Sequence, residues 1–358
     1  MEMKARLSQA APGRRTLEWL ALGCAAWAAG WIGGRLGRPR FDLRGKVVLI
    51  TGGSRGLGLA LARRFARDGA RVSIGARDER ELDRVASELA RSGSPVLTRV
   101  CDVAEVTSVA AWFSEVIELW GRIDVLVNNA GIIQVGPMES MQRDDYETAL
   151  NINFWGMVEA TRLALPSMLG NRSGRIINVT SIGGVLPAPH LLPYSCSKFA
   201  AVGFSTGATV ELAGSGVLVT TVVPGLMRTG SFLHALFKGR RQDEVTWFSL
   251  SSSAPILSIS AEKAARRIVQ ACVEGERWVV LGAQARIARV LFALFPSWAM
   301  GVLGTVNRGL LPNAPLKGSL DDRLPAKPGL LYRSRFSSPP YTWLGDRAAR
   351  KYGEASGL

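Results

Sequence analysis

A glycine-rich turn between a buried strand and a helix constrains the fold of this chain more than any other feature. Residues 46–51 (KVVLIT) form a β-branched run, GGSRGLG follows at once, and residues 59–69 then have helical spacing. Glycines at such a turn let the backbone approach a pyrophosphate, and the N-terminus of the helix offers unpaired N–H groups and a positive dipole end. This context predicts a dinucleotide-binding βα unit.

Further apolar runs alternate with helical stretches through the middle of the chain. They lie at residues 71–74, 96–100, 125–128, 175–179 and 218–223, and residues 79–91 between two of them have helical spacing. Such alternation requires parallel strands that are joined by right-handed crossover helices. We therefore expect an α/β fold with a Rossmann-like, doubly wound parallel sheet, as one catalytic domain with helical extensions at both ends.

Polar motifs follow these predicted strands in a fixed order. They are Asp102-Val103 after the third strand, Asn128-Asn129-Ala130-Gly131 after the fourth, Asn153 on the next helix, Ser181 at the end of the fifth strand, the pair Tyr194 and Lys198 (YxxxK), and Pro224-Gly225 with Thr229 after the sixth. Together with TGxxxGxG at the first turn, this set resembles the short-chain dehydrogenase/reductase family. The resemblance extends from Thr51 to Thr229.

The pair Tyr194 and Lys198 predicts acid/base chemistry. Residues four apart share one face of a helix. A phenol has an ordinary pKa of about 10, and a nearby ammonium favours the phenolate, so the pair is expected to act as an acid/base near neutral pH. Tyr194 is expected to donate its proton to a carbonyl oxygen held by Ser181 as hydride arrives from a nicotinamide, or to act in reverse. The resemblance implies that Lys198 also binds the nicotinamide ribose and that Asn153 positions a water in a proton relay.

The expected site residues follow from these motifs. The catalytic residues are Asn153, Ser181, Tyr194 and Lys198. The cofactor contacts are Gly52, Ser54, Arg55, Gly56, Leu57, Gly58, Arg77, Asp102, Val103, Asn129, Ala130, Gly131, Tyr194, Lys198, Pro224, Gly225 and Thr229. Four scattered cysteines without a C-x-x-C pair and only two histidines argue against a zinc site or a disulfide scaffold, and they favour a reducing compartment.

The end of the second strand bears on the choice between NAD and NADP. An acidic residue there binds the ribose 2′-hydroxyl of NAD, whereas arginines suit the 2′-phosphate of NADP. Residues 74–77 read IGAR, without an acid, and Arg55 lies inside the glycine turn. Both guanidiniums can bind a phosphate through two hydrogen bonds, so NADP(H) is favoured over NAD(H). Asp78 follows at once and is expected to cap the next helix.

The formal net charge of +15 raises the question of a nucleic-acid partner. Residues 1–40 carry seven Lys or Arg and two acids, and residues 271–358 carry twelve and six, so the excess lies mainly at the two ends. A nucleic-acid-binding domain usually concentrates its basic side chains on the folded core. We therefore expect no nucleic-acid partner.

One long apolar run lies toward each end of the chain. Residues 19–34 carry no charge between basic flanks, but they fall short of the roughly 20 residues that span a bilayer. We expect them to contact a membrane, with packing on the protein itself or a cleaved signal peptide as alternatives. Residues 290–306 are uncharged and interrupted by Pro296, which predicts two short helices that lie in the headgroup plane or cover the core or a dimer interface.

These observations predict four segments. They are a basic, apolar N-terminal segment at 1–40, a catalytic domain at 41–285, an apolar helical segment at 286–310 and an irregular basic tail at 311–358. The family resemblance places a substrate lid at 226–255, where bulky apolar residues are expected: Phe232, Leu233, Leu236, Phe237, Trp247 and Phe248. They favour a lipophilic substrate or serve to pack the lid itself. The polar residues Lys238, Arg240, Arg241, Asp243 and Glu244 are expected in a solvated loop, and His234 at the surface.

The sequence thus predicts an NADP(H)-dependent oxidoreductase that interconverts a lipophilic carbonyl and its alcohol. The alternative is a catalytically idle dinucleotide-binding sensor or scaffold at a membrane. The resemblance implies a homodimer or homotetramer formed through the helix that carries Tyr194 and Lys198 and its neighbour. We expect association with a membrane through the N-terminal segment, with a cytoplasmic location as the alternative.

Overall fold

Seven parallel strands form the centre of the computed structural model, which describes residues 40–315 except 92, 94, 256 and 257, together with residues 19, 325–332 and 341–355. The strands of the chain are β1 (Val47–Thr51), β2 (Arg71–Ala76), β3 (Val96–Val100), β4 (Val125–Asn128), β5 (Gln134–Val135), β6 (Gly174–Val179), β7 (Val217–Pro224), β8 (Leu226–Arg228), β9 (Leu236–Phe237), β10 (Ser258–Ser260), β11 (Trp278–Leu281) and β12 (Lys327–Pro328). The central sheet has the order β11-β7-β6-β4-β1-β2-β3. This order confirms the predicted doubly wound sheet, to which the unpredicted β11 adds an edge.

Helices follow most strands and cover both faces of the sheet. They are α1 (Gly56–Arg67), α2 (Glu79–Ala90), α3 (Val106–Trp120), α4 (Arg143–Leu150), α5 (Gly156–Gly170), α6 (Leu192–Glu211), α7 (Arg241–Ser253), α8 (Ala261–Glu274), α9 (Ala283–Leu294), α10 (Pro296–Leu310) and α11 (Trp343–Lys351). A π-helical turn at Asn151–Trp155 separates α4 from α5, and short 3-10 turns lie at Met138–Ser140, Ile182–Gly184, Ser231–Leu233 and Gly329–Tyr332.

The core has two layers because each central strand is buried on both faces. On one face, Val48 and Ile50 of β1 pack with residues of α1, α2 and α8. On the other face, Val47 and Leu49 pack with residues of α3 and α5. Burial on both faces explains why β1 reads as a continuous apolar run rather than an alternating one. The chain order reverses between β1 and β4, which is where doubly wound sheets open a crevice at the carboxyl ends of their strands.

The C-terminal region differs in part from the sequence prediction. Pro296 begins α10 after α9 has ended at Leu294, as its helix-breaking ring predicts. The expectation of an irregular tail at 311–358 is wrong for Lys327–Pro328, Gly329–Tyr332 and Trp343–Lys351, which form a strand, a 3-10 turn and a helix. These elements are stabilised by contacts with distant parts of the chain, such as the pairing of β12 with β9, and local sequence does not reveal such contacts.

The N-terminal segment forms a unit of its own, at Met1–Arg40, and a second unit extends from Phe41 to Leu358. Apart from Trp19, the apolar run at 19–34 lies outside the described residues, as does Cys24. Within the described part of the chain, none of the helices combines the length and the apolar character that crossing a bilayer requires.

Candidate active site

A cleft of about 510 Å³ opens at the carboxyl ends of β1, β2 and β4. All the residues predicted to contact the cofactor line this cleft, except Pro224 and Gly225. Gly225 instead lies beside β11 and α9, where its N–H donates to the Leu281 carbonyl at 3.0 Å. The topology thus brings together motifs that lie far apart in the sequence.

The glycine turn lies at one end of the cleft and leads directly into the N-terminus of α1. Gly52 and Gly56 have φ values of +64° and +58°, a conformation that favours glycine. A Cβ atom on Gly58 would collide with the Gly52 carbonyl and would lie 2.7 Å from Nδ2 of Asn129. The N-cap residue, Arg55, makes no side-chain hydrogen bond to the start of α1. Glycines that allow such a close approach to a helix N-terminus suit the pyrophosphate of a dinucleotide.

Thr51 and Asn129 hold this turn against the end of β4. The Thr51 hydroxyl accepts hydrogen bonds from the N–H groups of Asn129 and Ala130, both at 3.0 Å. The Asn129 amide donates to the carbonyls of Thr51 and Gly52 at 3.1 and 3.0 Å. The predicted NNAG turn is therefore a structural clamp on the glycine turn.

Charged side chains surround the region next to the end of β2. Arg77 is 63% exposed, and the Asp78 carboxylate accepts from the Glu81 N–H at 3.0 Å, as expected of an N-cap. Nη1 of Arg55 lies 3.4 Å from the Glu81 carboxylate, which also accepts from the Ser54 hydroxyl at 2.7 Å. Glu81 was not among the predicted site residues, because an acid in the first turn of a helix with one charged side is usually solvated.

Asn153 lies buried in the π-helical turn between α4 and α5, not on a regular helix as expected. Its side chain bonds the Ile132 backbone on both sides: Oδ1 accepts from the N–H at 2.9 Å, and Nδ2 donates to the carbonyl at 3.1 Å. Nδ2 also donates to the Ser197 hydroxyl at 2.9 Å. A π-helical turn frequently marks a functional site, and here it holds Asn153 between the β4 loop and α6.

Ser181, Tyr194 and Lys198 come together at the other end of the cleft. Tyr194 and Ser181 lie side by side at Gly183, where a Cβ atom would be 3.4 Å from the Tyr194 ring and 3.5 Å from the Ser181 hydroxyl, while Lys198 donates to the Val179 carbonyl at 3.1 Å. Burial raises the pKa of Tyr194, and the nearby Ser181 hydroxyl acts in the opposite direction. Burial lowers the pKa of Lys198 to about 8. Desolvation therefore outweighs the lowering that was expected from Lys198, and the net shift of the Tyr194 pKa is upward.

A second acid that sequence reasoning missed, Glu354, also lines the cleft. Its carboxylate lies 3.5 Å from Nε of Arg55, and its carbonyl is 2.7 Å from Nε2 of His234. Burial raises the pKa of Glu354 to about 7 and lowers that of His234, whose side chain is partly buried, at 29% exposure, rather than fully at the surface as expected. Glu354 belongs to no motif and comes from the far end of the chain, so no local signal marked it.

The lid is more ordered than the sequence suggested. Phe232, Leu233, Phe237 and Phe248 are buried in a shared apolar cluster that partly covers Tyr194. Most of the lid's aromatic side chains therefore pack the lid itself, which was one of the two alternatives.

The polar lid residues divide into two groups. Lys238, Arg241 and Glu244 are buried, against the expectation of a solvated loop, while Arg240 and Asp243 are exposed. Lys238 binds Asp145 at 2.6 Å, and Nδ1 of His190 lies 2.7 Å from the Glu244 carboxylate. These buried polar contacts fix the lid to the body of the domain.

Most of the chain is similar in sequence to known proteins. The sequence model of the family described as short chain dehydrogenase matches residues 46–236. The 11-beta-hydroxysteroid dehydrogenase A of Sesamum indicum is 37% identical over 253 residues, which cover 69% of this chain and 71% of that protein. A dehydrogenase/reductase SDR family protein 7-like of Drosophila melanogaster is 34% identical over 270 residues, covering 73% and 81%.

Solved structures resemble the same part of the chain. A gluconate 5-dehydrogenase from Burkholderia cenocepacia in complex with NADP and tartrate has a TM-score of 0.61 and 27% identity, and covers 69% of this chain and 98% of that one. A short chain dehydrogenase/reductase from Burkholderia phymatum in complex with NAD has a TM-score of 0.63 and 25% identity, covering 71% and 96%. The central sheet and the cleft are thus built as in dinucleotide-binding oxidoreductases.

Proposed function

The chain belongs to the short-chain dehydrogenase/reductase family, and from that premise we propose that it is an NADP(H)-dependent oxidoreductase of a lipophilic carbonyl or alcohol, with Tyr194 as the catalytic acid and base. As a member of the family, it acts on alcohol and carbonyl groups with NAD or NADP. The observation that carries the proposal is that Tyr194, Lys198 and the glycine turn line one cleft.

Tyr194 holds the proton that the reaction needs. The bound nicotinamide supplies or accepts the hydride. Because burial raises its pKa, the Tyr194 phenol is protonated at neutral pH and can donate to the oxygen of a carbonyl as that carbonyl is reduced. The Ser181 hydroxyl, which lies beside the Tyr194 ring, is placed to hold the same oxygen. In alcohol oxidation the same two groups act in reverse.

Lys198 and Asn153 support the proton transfer. Below its pKa of about 8, Lys198 is positively charged and stabilises the phenolate that forms when Tyr194 gives up its proton. Asn153 holds the Ile132 backbone next to Gly131, where a Cβ atom would lie 3.5 Å from Nζ of Lys198. This arrangement supports a role for Asn153 in positioning a water between Ile132 and Lys198.

Replacement of Tyr194 by phenylalanine tests the proposal. General acid–base catalysis contributes about 10²–10⁴-fold to rates, so Y194F is expected to lose turnover by at least two orders of magnitude while NADPH still binds. Tyr146→Phe removes a partly buried hydroxyl on α4 and is the matched control. NADPH oxidation with a carbonyl panel and NADPH fluorescence titration are the two measurements. Full activity in Y194F would refute the assignment.

The charges near β2 support NADP(H) over NAD(H). The strand ends without an acid at residues 74–76, and the Asp78 carboxylate is engaged as an N-cap. Arg77, which is largely exposed and 4.0 Å from Asp102, can turn toward a 2′-phosphate, and Arg55 can bind one in exchange for its contacts with Glu81 and Glu354. Solved relatives contain NADP in one case and NAD in another, so the family alone does not decide.

Arg77→Ala tests this preference against Arg80→Ala, an exposed arginine on α2 that does not line the cleft. A hydrogen bond to a charged group contributes about 1.5–3 kcal/mol, so R77A is expected to lower kcat/KM for NADPH by about tenfold or more. The value for NADH is expected to stay within about twofold, since NADH lacks the phosphate. Equal losses for both cofactors, or a wild-type preference for NADH, would contradict the proposal.

Partly buried apolar side chains at the edge of the lid cluster, rather than its packed centre, support a lipophilic substrate. Ile133, Ala188 and Trp247 are partly buried against this cluster next to Tyr194. The relative from Sesamum indicum carries a hydroxysteroid in its name, whereas gluconate is named for one of the solved structures. A panel of steroid, retinoid and fatty aldehyde substrates, set against gluconate-type sugars, separates the two classes. Higher kcat/KM for the sugars would contradict the proposal.

The hairpin of α9 and α10 supports association with an anionic bilayer surface. Ile287, Leu294 and Trp298 are 60, 65 and 59% exposed, and α10, all of whose residues are described, has none buried. No Asp or Glu lies between Glu276 and Asp321, while five Lys or Arg fall there: Arg277, Arg286, Arg289, Arg308 and Lys317. Exposed apolar side chains bordered by basic ones suit a surface of negatively charged lipid headgroups.

Vesicle sedimentation of the full chain tests this surface. Binding to phosphatidylcholine vesicles is expected to rise when phosphatidylserine is included, and L294E/W298E is expected to reduce it. V106E/L119E places the same charges on exposed apolar positions of α3 and is the control. Unchanged vesicle binding by L294E/W298E would contradict the proposal. A variant that loses self-association but keeps its vesicle binding would contradict it as well.

Exposed apolar residues on α5 and α6 support a homodimer or homotetramer. Leu169 on α5 and Phe199 and Val210 on α6, the helix that carries Tyr194 and Lys198, are exposed. Such side chains are typical of surfaces that are buried on assembly. Light scattering is expected to give a mass above that of one chain, and F199E/V210E is expected to lower it. A wild-type chain that is monomeric at all concentrations tested would contradict this part.

A further inference from the structure

The C-terminal segment, defined as residues 341–355, lies against the cofactor cleft. Helix α11 ends at Lys351, and Tyr352 is buried beside α1. Nη1 of Arg63 on α1 donates to the Lys351 carbonyl at 3.0 Å, and Lys351 binds Glu262 on α8 at 2.9 Å. The last turn of this segment is therefore held in place on the helix that begins at the glycine turn.

Two groups of the C-terminal segment occupy the open end of that helix. The Gly56 N–H, the first in α1, donates to the Tyr352 carbonyl at 2.8 Å. The Glu354 carboxylate lies directly over Gly56, where a Cβ atom on that glycine would collide with Oε1. A main-chain donor and a volume that suit a pyrophosphate are thus both taken by the chain itself.

The charges around Glu354 match those that a phosphate would meet. Its carboxylate is 7% exposed and lies 3.5 Å from Arg55, at the positive end of the α1 dipole. His234 of the lid bonds the Glu354 carbonyl at 2.7 Å. Glu81 of α2, also near Arg55, adds a like charge. A carboxylate at this position uses the same electrostatic attraction as a dinucleotide phosphate.

We propose that the C-terminal segment competes with the dinucleotide, so that Glu354 and the Tyr352 carbonyl must leave the glycine turn before the pyrophosphate can bind. The inference rests on the proposed function, because it concerns the same cleft. Two groups cannot fill one volume, so the apparent Kd for the cofactor is the intrinsic value divided by the fraction of molecules whose segment is released. The segment therefore sets the cofactor concentration at which the enzyme becomes loaded.

The burial of Glu354 makes this release feasible. Burial raises its pKa to about 7, against an attraction to Arg55 that lowers it. Burying the ionised carboxylate therefore costs free energy, and this cost disappears when the carboxylate moves into water. A segment held in this way can be displaced by a ligand that carries more negative charge.

Hydrogen exchange of the full chain with and without NADPH tests the proposal directly. In the closed segment, the Tyr352 and Glu354 N–H groups donate to Ala348 and Ala349 at 2.9 Å. NADPH is expected to increase deuterium uptake over residues 343–355 while it decreases uptake at the glycine turn. Reduced uptake over 343–355 would overturn the proposal, because it would mean that the segment closes over the bound cofactor.

Glu354→Ala provides the second measurement. Removing the side chain vacates the volume over Gly56 and is expected to lower the NADPH Kd by at least threefold. Glu118→Ala removes an exposed carboxylate of α3 outside the cleft and controls for the change in net charge. An unchanged or higher Kd in E354A would overturn the proposal. Absence of NADPH binding in every variant would instead refute the proposed function, so the two failures are distinguishable.

Discussion

The buried ion pair between Lys238 and Asp145 provides the strongest quantitative test of how the lid is held. Nζ of Lys238 lies 2.6 Å from Oδ2 of Asp145, and the two side chains are 7 and 9% exposed. The same oxygen accepts from the Gln142 N–H at 2.7 Å, so Asp145 also caps α4. Removing one partner leaves the other charge buried, which costs about 3–5 kcal/mol.

Three variants of the full chain separate charge from shape. D145N keeps the size and an acceptor for Gln142, and K238M keeps the apolar stem, so each leaves one buried charge and is expected to lower the free energy of unfolding by about 3 kcal/mol. The double variant has no buried charge, so its loss is expected to be smaller than the sum of the single losses by about 2 kcal/mol.

Urea unfolding monitored by tryptophan fluorescence measures these losses. The matched control is D243N, which breaks the Arg240–Asp243 pair of the same lid, where both side chains are about half exposed. A surface pair contributes about 0–1 kcal/mol, so D243N is expected to cost less than 1 kcal/mol. Losses below 1 kcal/mol in both D145N and K238M, or additive effects in the double variant, would refute the reasoning.

Three further predictions concern the cleft. K198M is expected to abolish turnover but to raise the free energy of unfolding at pH 7 by about 2 kcal/mol. The lowering of its pKa from 10.5 to about 8 destabilises the folded state by about 3 kcal/mol below pH 8, and the lost hydrogen bond to Val179 offsets about 1. Since that penalty fades as pH rises from 8 to 10.5, the gain is expected to shrink at pH 10, and a constant gain in urea unfolding at both pH values would contradict this. G58A is expected to raise the NADPH Kd about tenfold or more in fluorescence titration. The new methyl group clashes with the Gly52 carbonyl, and such a clash costs about 1–3 kcal/mol. An unchanged Kd would show that the turn can move to accommodate the methyl group. T51V leaves the N–H groups of Asn129 and Ala130 without their acceptor. It is expected to lower the free energy of unfolding in urea by about 1–3 kcal/mol for each group. A total loss under 1 kcal/mol would show that water replaces the hydroxyl.

The sheet and the cleft were predictable because their signals are local. Residues 46–58 carry a strand, a turn and a helix start in one short stretch, and each step has a physical cause that can be read from neighbouring residues. The order of the remaining motifs placed Tyr194 and Lys198 at the same sheet edge, where the structure has them. Asp78 was predicted as an N-cap on equally local grounds.

The features that the sequence did not reveal depend on contacts between distant residues. Glu354 and Glu81 meet at Arg55 although more than half of the chain separates them, and no spacing rule connects a chain end with a glycine turn. Lys238 looked solvated beside other charged residues, and only its contact with Asp145 makes burial possible. The pKa of Tyr194 was misjudged for the same reason, since burial is a property of the folded molecule.

The π-helical turn at Asn151–Trp155, between α4 and α5, contains one residue more than a regular α-helical turn. Successive residues of a regular α-helix are rotated by about 100°, so a single added residue changes the direction of every side chain that follows it. Deleting one residue from this turn is therefore expected to produce a smoother, more stable helix that turns Asn153 away from Ile132. A redesign that favours uninterrupted helices would therefore remove this residue and, with it, the hydrogen bonds that join Asn153 to Ile132.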